Sequence, residues 1–151
     1  MAQSRDFLEN MLRLSLGEGT PYTSGATYLL LYNGSVTDTT TMTTLAGLEL
    51  AASNGYARQL LTPGVIAYDP TDVRAEAPEE TITFTASGGN IGPFNGVAVI
   101  VSGTGTAGAT TGTVRSFYTT TEVSGVSSVT LTDGQSYQVN TNLVSLTGVY
   151  A

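Results

Sequence analysis

Residues 97–119 read VAVIVSGTGTAGATTGTVRSFYT, and the fold turns on how this stretch is understood. A β-branched, apolar run enters a loop in which Gly103, Gly105 and Gly108 spell G-x-G-x-x-G, the spacing of a dinucleotide-binding turn. Such a turn works only if a helix begins within it, because the pyrophosphate sits on that helix's N-terminus. Here Gly112 interrupts, and Thr110, Thr111, Thr113 and Val114 are β-branched residues that disfavour a helix. TVRSFY then alternates as a strand does. Glu122 lies near the place of a ribose-binding acid, but without the helix it has no phosphate site to complement. In a chain with 18 glycines the motif is expected by chance, and no cofactor is expected.

Read as strand, glycine loop and strand, the stretch fits its surroundings. GVAVIVSG, apolar on both faces, predicts a central strand. TITFTAS alternates Ile82 and Phe84 against threonines, which predicts a strand with one buried face. TVRSFYTTT, SSVTLT, SYQVN and NLVSLTGVY follow as further strands, and Asp133-Gly134 predicts a hairpin between SSVTLT and QSYQVN. Upstream, ATYLLLYNGS (26–35) predicts a buried strand closing on an Asn33-Gly34 turn. VTDTTTMTTLAG is an exposed loop or a weak strand, LAGLELAAS (45–53) a short helix, and YARQLL and GVIAY short strands.

The first residues differ. SRDFLENMLRLS (4–15) predicts a helix: Ser4 suits the N-cap, Phe7, Met11 and Leu14 fall on one face, and Leu8 and Leu12 widen it. That stripe packs either on its own domain or on a neighbouring subunit. The expected architecture is a single all-β domain over 1–151, a jelly-roll-like β-sandwich (21–151) preceded by a short N-terminal α-helix or arm (1–20).

Composition removes whole chemistries. The chain has no Cys, no His and no Trp, and its five basic residues are all arginine: Arg5, Arg13, Arg58, Arg74 and Arg115. Disulfides, thiolate nucleophiles, imidazole bases and ligands, and Schiff-base lysines are therefore all absent. Glu79 and Glu80 are adjacent, so on a strand they face opposite sides and make no catalytic carboxylate pair. No catalytic residue and no metal site is expected, and the protein is not expected to be an enzyme.

A formal net charge of −7 with scattered arginines argues against direct nucleic-acid binding. The opening residues carry acids among apolar ones and do not read as a signal peptide, and no run is long enough for a membrane helix, so no membrane partner is expected. The segment YDPTDVRAEAPEE (68–80) gathers Asp69, Asp72, Glu76, Glu79 and Glu80 against Arg74. It is expected as an exposed acidic loop, with a Ca²⁺ site as the alternative, although the spacing lacks the EF-hand pattern.

One order of segments is more specific than any single motif. FLENMLRLSLGEGTPYTSGATYLLLYNGSVTD is followed by ELAASNGYARQLL and then by ITFTAS. This order resembles a group of small structural proteins of tailed bacteriophages, with a LEN helix, an apolar strand ending in a polar turn, an acid, a glycine turn, YARQ and an I-x-F strand. The matching positions are Leu8, Glu9, Asn10, Leu31, Tyr32, Asp38, Glu49, Gly55, Tyr56, Ala57, Arg58, Gln59, Ile82 and Phe84.

The resemblance implies a virion protein made in the host cytoplasm and carried on the capsid exterior. It would be a homotrimeric cement (decoration) protein that bridges subunits of the major capsid protein. The alternative it implies is a tail-, neck- or fibre-associated adhesion protein, in which Tyr68, Phe117 and Tyr118 would stack on glycan rings. The interface candidates are Phe7, Leu8, Met11 and Leu12, together with Arg58, whose planar fork suits an interface or an intrachain salt bridge equally.

Overall fold

The computed structural model describes residues 2–3, 26–62, 67–69, 74–76, 79–141 and 145–147. In chain order the elements are β1 (Ala2–Gln3), β2 (Ala26–Tyr32), α1 (Met42–Leu48), β3 (Gln59–Leu61), β4 (Ala67–Asp69), β5 (Arg74–Glu76), β6 (Glu80–Thr85), β7 (Ile91–Phe94), β8 (Gly96–Ser102), β9 (Thr113–Thr119), α2 (Thr120–Ser124), β10 (Val129–Leu131), β11 (Ser136–Thr141) and β12 (Ser145–Thr147). The fold is all-β and antiparallel, as the alternating patterns predict. The N-terminal helix expected over 4–15 lies outside the described residues.

A five-stranded sheet, ordered β1-β9-β8-β2-β3, forms the spine. Its central strands are apolar on both faces because both faces are covered. Leu29, Leu31, Val97 and Val99 point into one core, where Ile82, Phe84, Ile91, Phe94, Leu131 and Val139 of a second β layer meet them. That layer pairs β6 with β11 and β7 with β10. Their neighbours along the strands, Leu30, Tyr32, Ala98 and Ile100, point the other way and meet Met42 and Leu45 of α1. Each alternate residue thus serves a different core, which is how a two-residue repeat fills a three-layer packing.

The glycine-rich loop is the turn between β8 and β9, which lie antiparallel and adjacent. No helix begins in it. At the far end of β8, Gly96 sits opposite Tyr32 across the sheet. A Cβ at Gly96 would collide with the Tyr32 ring, so the missing side chain is what lets that ring lie flat over the strand.

The structure differs from the sequence-based expectations at four places. Residues 45–48 are helical as expected, but the helix already begins at Met42, where a loop or weak strand is expected, and 49–53 are not helical. Thr41 caps α1 by accepting from the Thr44 N–H at 3.3 Å, and Met42 and Leu45, one turn apart, supply its buried face. Glu49 then leaves in an extended conformation to bridge Tyr32.

The strand expected to run through 119–121 stops at Thr119, where a capping box starts α2: Thr119 accepts from the Glu122 N–H and the Glu122 carboxylate accepts from the Thr119 N–H. Gly125, left-handed at φ 76°, ends it.

The Asp133-Gly134 turn forms, but β10 and β11 do not pair with each other. β10 pairs with β7 and β11 with β6, making one bent two-stranded ribbon. Pairing continues across the bend, with the Ala86 N–H donating to Gln135 O and the Gly134 N–H donating to Ala86 O, each at 2.9 Å. Asp133 Oδ1 accepts from the Gly88 N–H at 2.8 Å, which ties the two bends together.

Finally, part of the acidic segment is a ladder rather than a loop. β4 and β5 pair antiparallel with Asp69 opposite Arg74, and β12 adds to β5. Among the described residues no helix is long and apolar enough to cross a membrane.

Candidate functional site

Five of the residues quoted for the phage resemblance, Leu31, Glu49, Tyr56, Arg58 and Phe84, meet at one point in the fold. Glu49, just after α1, and Arg58, just before β3, form an ion pair whose side chains are completely shielded from solvent. Arg58 Nε donates to Glu49 Oε1 at 2.8 Å and Nη2 to Oε2 at 2.6 Å, the two-pronged geometry a planar guanidinium allows. Tyr56, two residues before Arg58 on the same extended stretch, donates its hydroxyl to Glu49 Oε1 at 3.0 Å. The same hydroxyl accepts from the Leu31 N–H at 3.1 Å, and the Tyr56 ring stacks on Phe84 with centroids 6.1 Å apart.

The cluster also reaches the glycine loop. The Gly108 N–H donates to Glu49 Oε2 at 2.8 Å, and Arg58 Nη2 donates to Ala109 O at 2.9 Å. Gly108 adopts φ 77°, a left-handed conformation that suits glycine and turns its N–H inward. The loop between β8 and β9 is therefore clasped onto the sheet by the ion pair. Arg58 Nη1 is buried with no partner among the described residues.

The electrostatics keep Tyr56 neutral. Burial pushes its phenol far above the ordinary value, and the neighbouring Glu49 carboxylate pushes it further. A neutral phenol remains a hydrogen-bond donor, which the carboxylate needs. The Glu49 carboxylate accepts four hydrogen bonds, from Tyr56, Arg58 Nε, Arg58 Nη2 and Gly108, and offers nothing to a substrate. Chemically the cluster is a clasp between α1, the approach to β3 and the β8–β9 loop.

The interface candidates fall out as follows. Phe7, Leu8, Met11 and Leu12 lie outside the described residues. Arg58 spends its fork on an intrachain salt bridge and is 5% exposed, so its guanidinium is enclosed by its own chain. Of the aromatics expected to be exposed, Phe117 is instead buried against Ala98 and Ile100, because β9 turns it to the helix-covered face. Tyr118, the next residue, is half-buried on the opposite face. The side chain of Tyr68 lies outside the described residues. Glu80 bonds the Thr62 N–H through Oε2 at 2.9 Å, tying the end of β3 to β6.

The partnership of Glu49 with Tyr56, and of Glu49 and Arg58 with the glycine loop, was not anticipated from sequence. A signal existed: Tyr56 and Arg58, two residues apart on an extended stretch, must share a face, and Glu49 is the nearest preceding acid. A hollow of about 190 Å³ beside Tyr56, between Asn54 and Asn90, is smaller than the roughly 300–1,000 Å³ of ordinary ligand pockets. No protein-family model, curated protein or solved structure matches this chain.

Proposed function

We propose that this chain is a structural protein of a tailed-bacteriophage virion, a capsid cement protein that bridges subunits of the major capsid protein. The observation that carries the reading is the convergence of Leu31, Glu49, Tyr56, Arg58 and Phe84 on one buried cluster. These are positions of the phage-like segment order, scattered over more than fifty residues of sequence, and a chance resemblance has no reason to select residues that touch. They act as a fold signature, holding a rigid β scaffold on which a contact surface is displayed.

The mechanism is mechanical. Each specific contact with the shell would bury on the order of 1,000 Å² or more. Three copies joined around a threefold axis turn weak individual contacts into an avid one. Such contacts raise the work needed to separate capsid subunits against the pressure of packaged DNA. The low charge density and net negative charge suit an outer face away from that DNA.

The test is to strip the protein from purified particles and compare their survival on heating with that of untreated and re-decorated particles. Lower survival that re-addition restores supports the reading. Unchanged survival removes the stabilising role.

A further inference from the structure

The outer edge of β11 is open. On the ribbon, the Ala86 N–H and C=O both bond to residues 134–135 of the facing chain stretch. Bonding alternates along an antiparallel pair, so Phe84 and Ile82 bond to their partners Tyr137 and Val139. The N–H and C=O groups of Ser136, Gln138 and Asn140 therefore point away from β6, and they have no partner among the described residues. All of these residues are exposed. We propose that this edge pairs with the same edge of a second copy of the chain, antiparallel, about a twofold axis between the two Gln138 residues. The proposal does not depend on the capsid assignment.

Open strand edges are normally blocked by charge, proline, a bulge or brevity. The other described edges follow that rule. β3, β4 and β12 are three residues long, β7 carries Pro93, and β10 shifts register against β7. The edge of β9 is covered by β1, and β6 is tied to the end of β3 through Glu80. β11 differs: its six residues, SYQVNT, carry no charge and no proline and keep an unbroken register. The Ser136 and Asn140 side chains bond sideways to Thr85 and Thr81 of β6, at 2.8 and 2.9 Å, and so leave the edge bare.

Charge and register select a second copy as the occupant. With a net charge of −7, two copies repel over much of their surfaces. Residues 81–94 and 129–141 of the ribbon hold one charge between them, Asp133, whose carboxylate is taken by the Gly88 N–H. Here two copies approach without repulsion. The edge is also self-complementary. With Gln138 opposite its own copy, Ser136 falls opposite Asn140, and every outward N–H meets an outward C=O. The Gln138 carboxamide has no hydrogen-bond partner among the described residues, and two of them face to face donate and accept reciprocally. A ladder this short is a small contact, below the roughly 1,000 Å² of a stable interface. The pair therefore forms at high concentration, or where copies are already held side by side.

The test is analytical ultracentrifugation and isotope-filtered NMR of the full chain from micromolar to millimolar concentration. Dimers should grow with concentration, and exchange at the Ser136, Gln138 and Asn140 amides should slow. An intermolecular contact should join Tyr137 Hα to Val139 Hα, which this register brings opposite each other. Gln138→Pro removes an N–H that β6 does not use, a change that edge strands tolerate. Gln138→Lys sets like charges opposite each other and carries the test if proline disturbs the strand. Each should weaken association by about tenfold or more at unchanged thermal stability of the dilute protein. A monomer at millimolar concentration, dimers indifferent to both changes, or intermolecular contacts away from β11 would each overturn the proposal. So would edge amides that slow only on adding an unrelated extended peptide, acetyl-Thr-Val-Thr-Val-Thr-amide.

Discussion

Arg58 grips Glu49 through two hydrogen bonds, of 2.8 and 2.6 Å, in an interior from which solvent reaches neither side chain. Burying an ion pair carries a desolvation cost that close geometry only partly offsets, so such a pair is poor evidence of added stability. Removing one partner is another matter, because the remaining charge stays buried and alone.

Arg58→Met and Glu49→Gln should therefore each destabilise the fold by about 3–5 kcal/mol. The double variant Glu49→Gln/Arg58→Met should cost clearly less than the sum of its single changes, since neither charge is left behind. Urea unfolding of the four proteins measures the coupling. Additive losses would mean that the pair does not act as a unit.

Arg58→Lys keeps the positive charge but loses the fork that reaches Ala109. Hydrogen exchange at Gly108 should accelerate by about tenfold or more while the central strands β2 and β8 stay protected. Equal protection of the loop in both proteins would show that the clasp does not hold it.

Gly96→Val should destabilise by about 1–3 kcal/mol, because the added side chain enters space filled by the Tyr32 ring. The same exchange at Gly47, where nothing lies within 4 Å of an added Cβ, should not lower stability. Thermal unfolding of the two variants separates close packing from a general glycine effect.

Alkali should unfold the protein through its buried phenols. Tyr32 is pushed up to about 12, by burial first and then by the Glu122 carboxylate, and Tyr56 is raised further by burial and Glu49. In the unfolded chain both ionise near 10. Their contribution to stability is thus complete below about pH 10 and is lost as pH rises toward the folded values. Urea midpoints should fall above pH 10, and less steeply in Tyr56→Phe. A flat profile through pH 12 would contradict the assignment.

Much of this fold was legible because burial writes a short period into sequence. GVAVIV is apolar on every residue, and β8 is covered on both faces; TITFT alternates, and β6 buries only Ile82 and Phe84. α1 was obscured because a seven-residue helix shows barely two turns of periodicity and starts in a threonine run. α2 was readable in principle, since Thr119 and Glu122 carry the capping-box spacing. At Asp133-Gly134 the local signal gave the turn correctly, but the partners of β10 and β11 are chosen by contacts with β7 and β6, 35 to 61 residues earlier, which a turn cannot encode. The Glu49–Arg58 clasp was half-legible for the same reason: its spacing is local, whereas its closure over Gly108 depends on where β8 ends.

The most direct measurement is the copy number of this protein in purified particles, by quantitative mass spectrometry against the major capsid protein. The expected result is a number comparable to that of the major capsid protein and unchanged by removal of tails. Absence from the particle, or a few copies that leave with the tail, would contradict the capsid role.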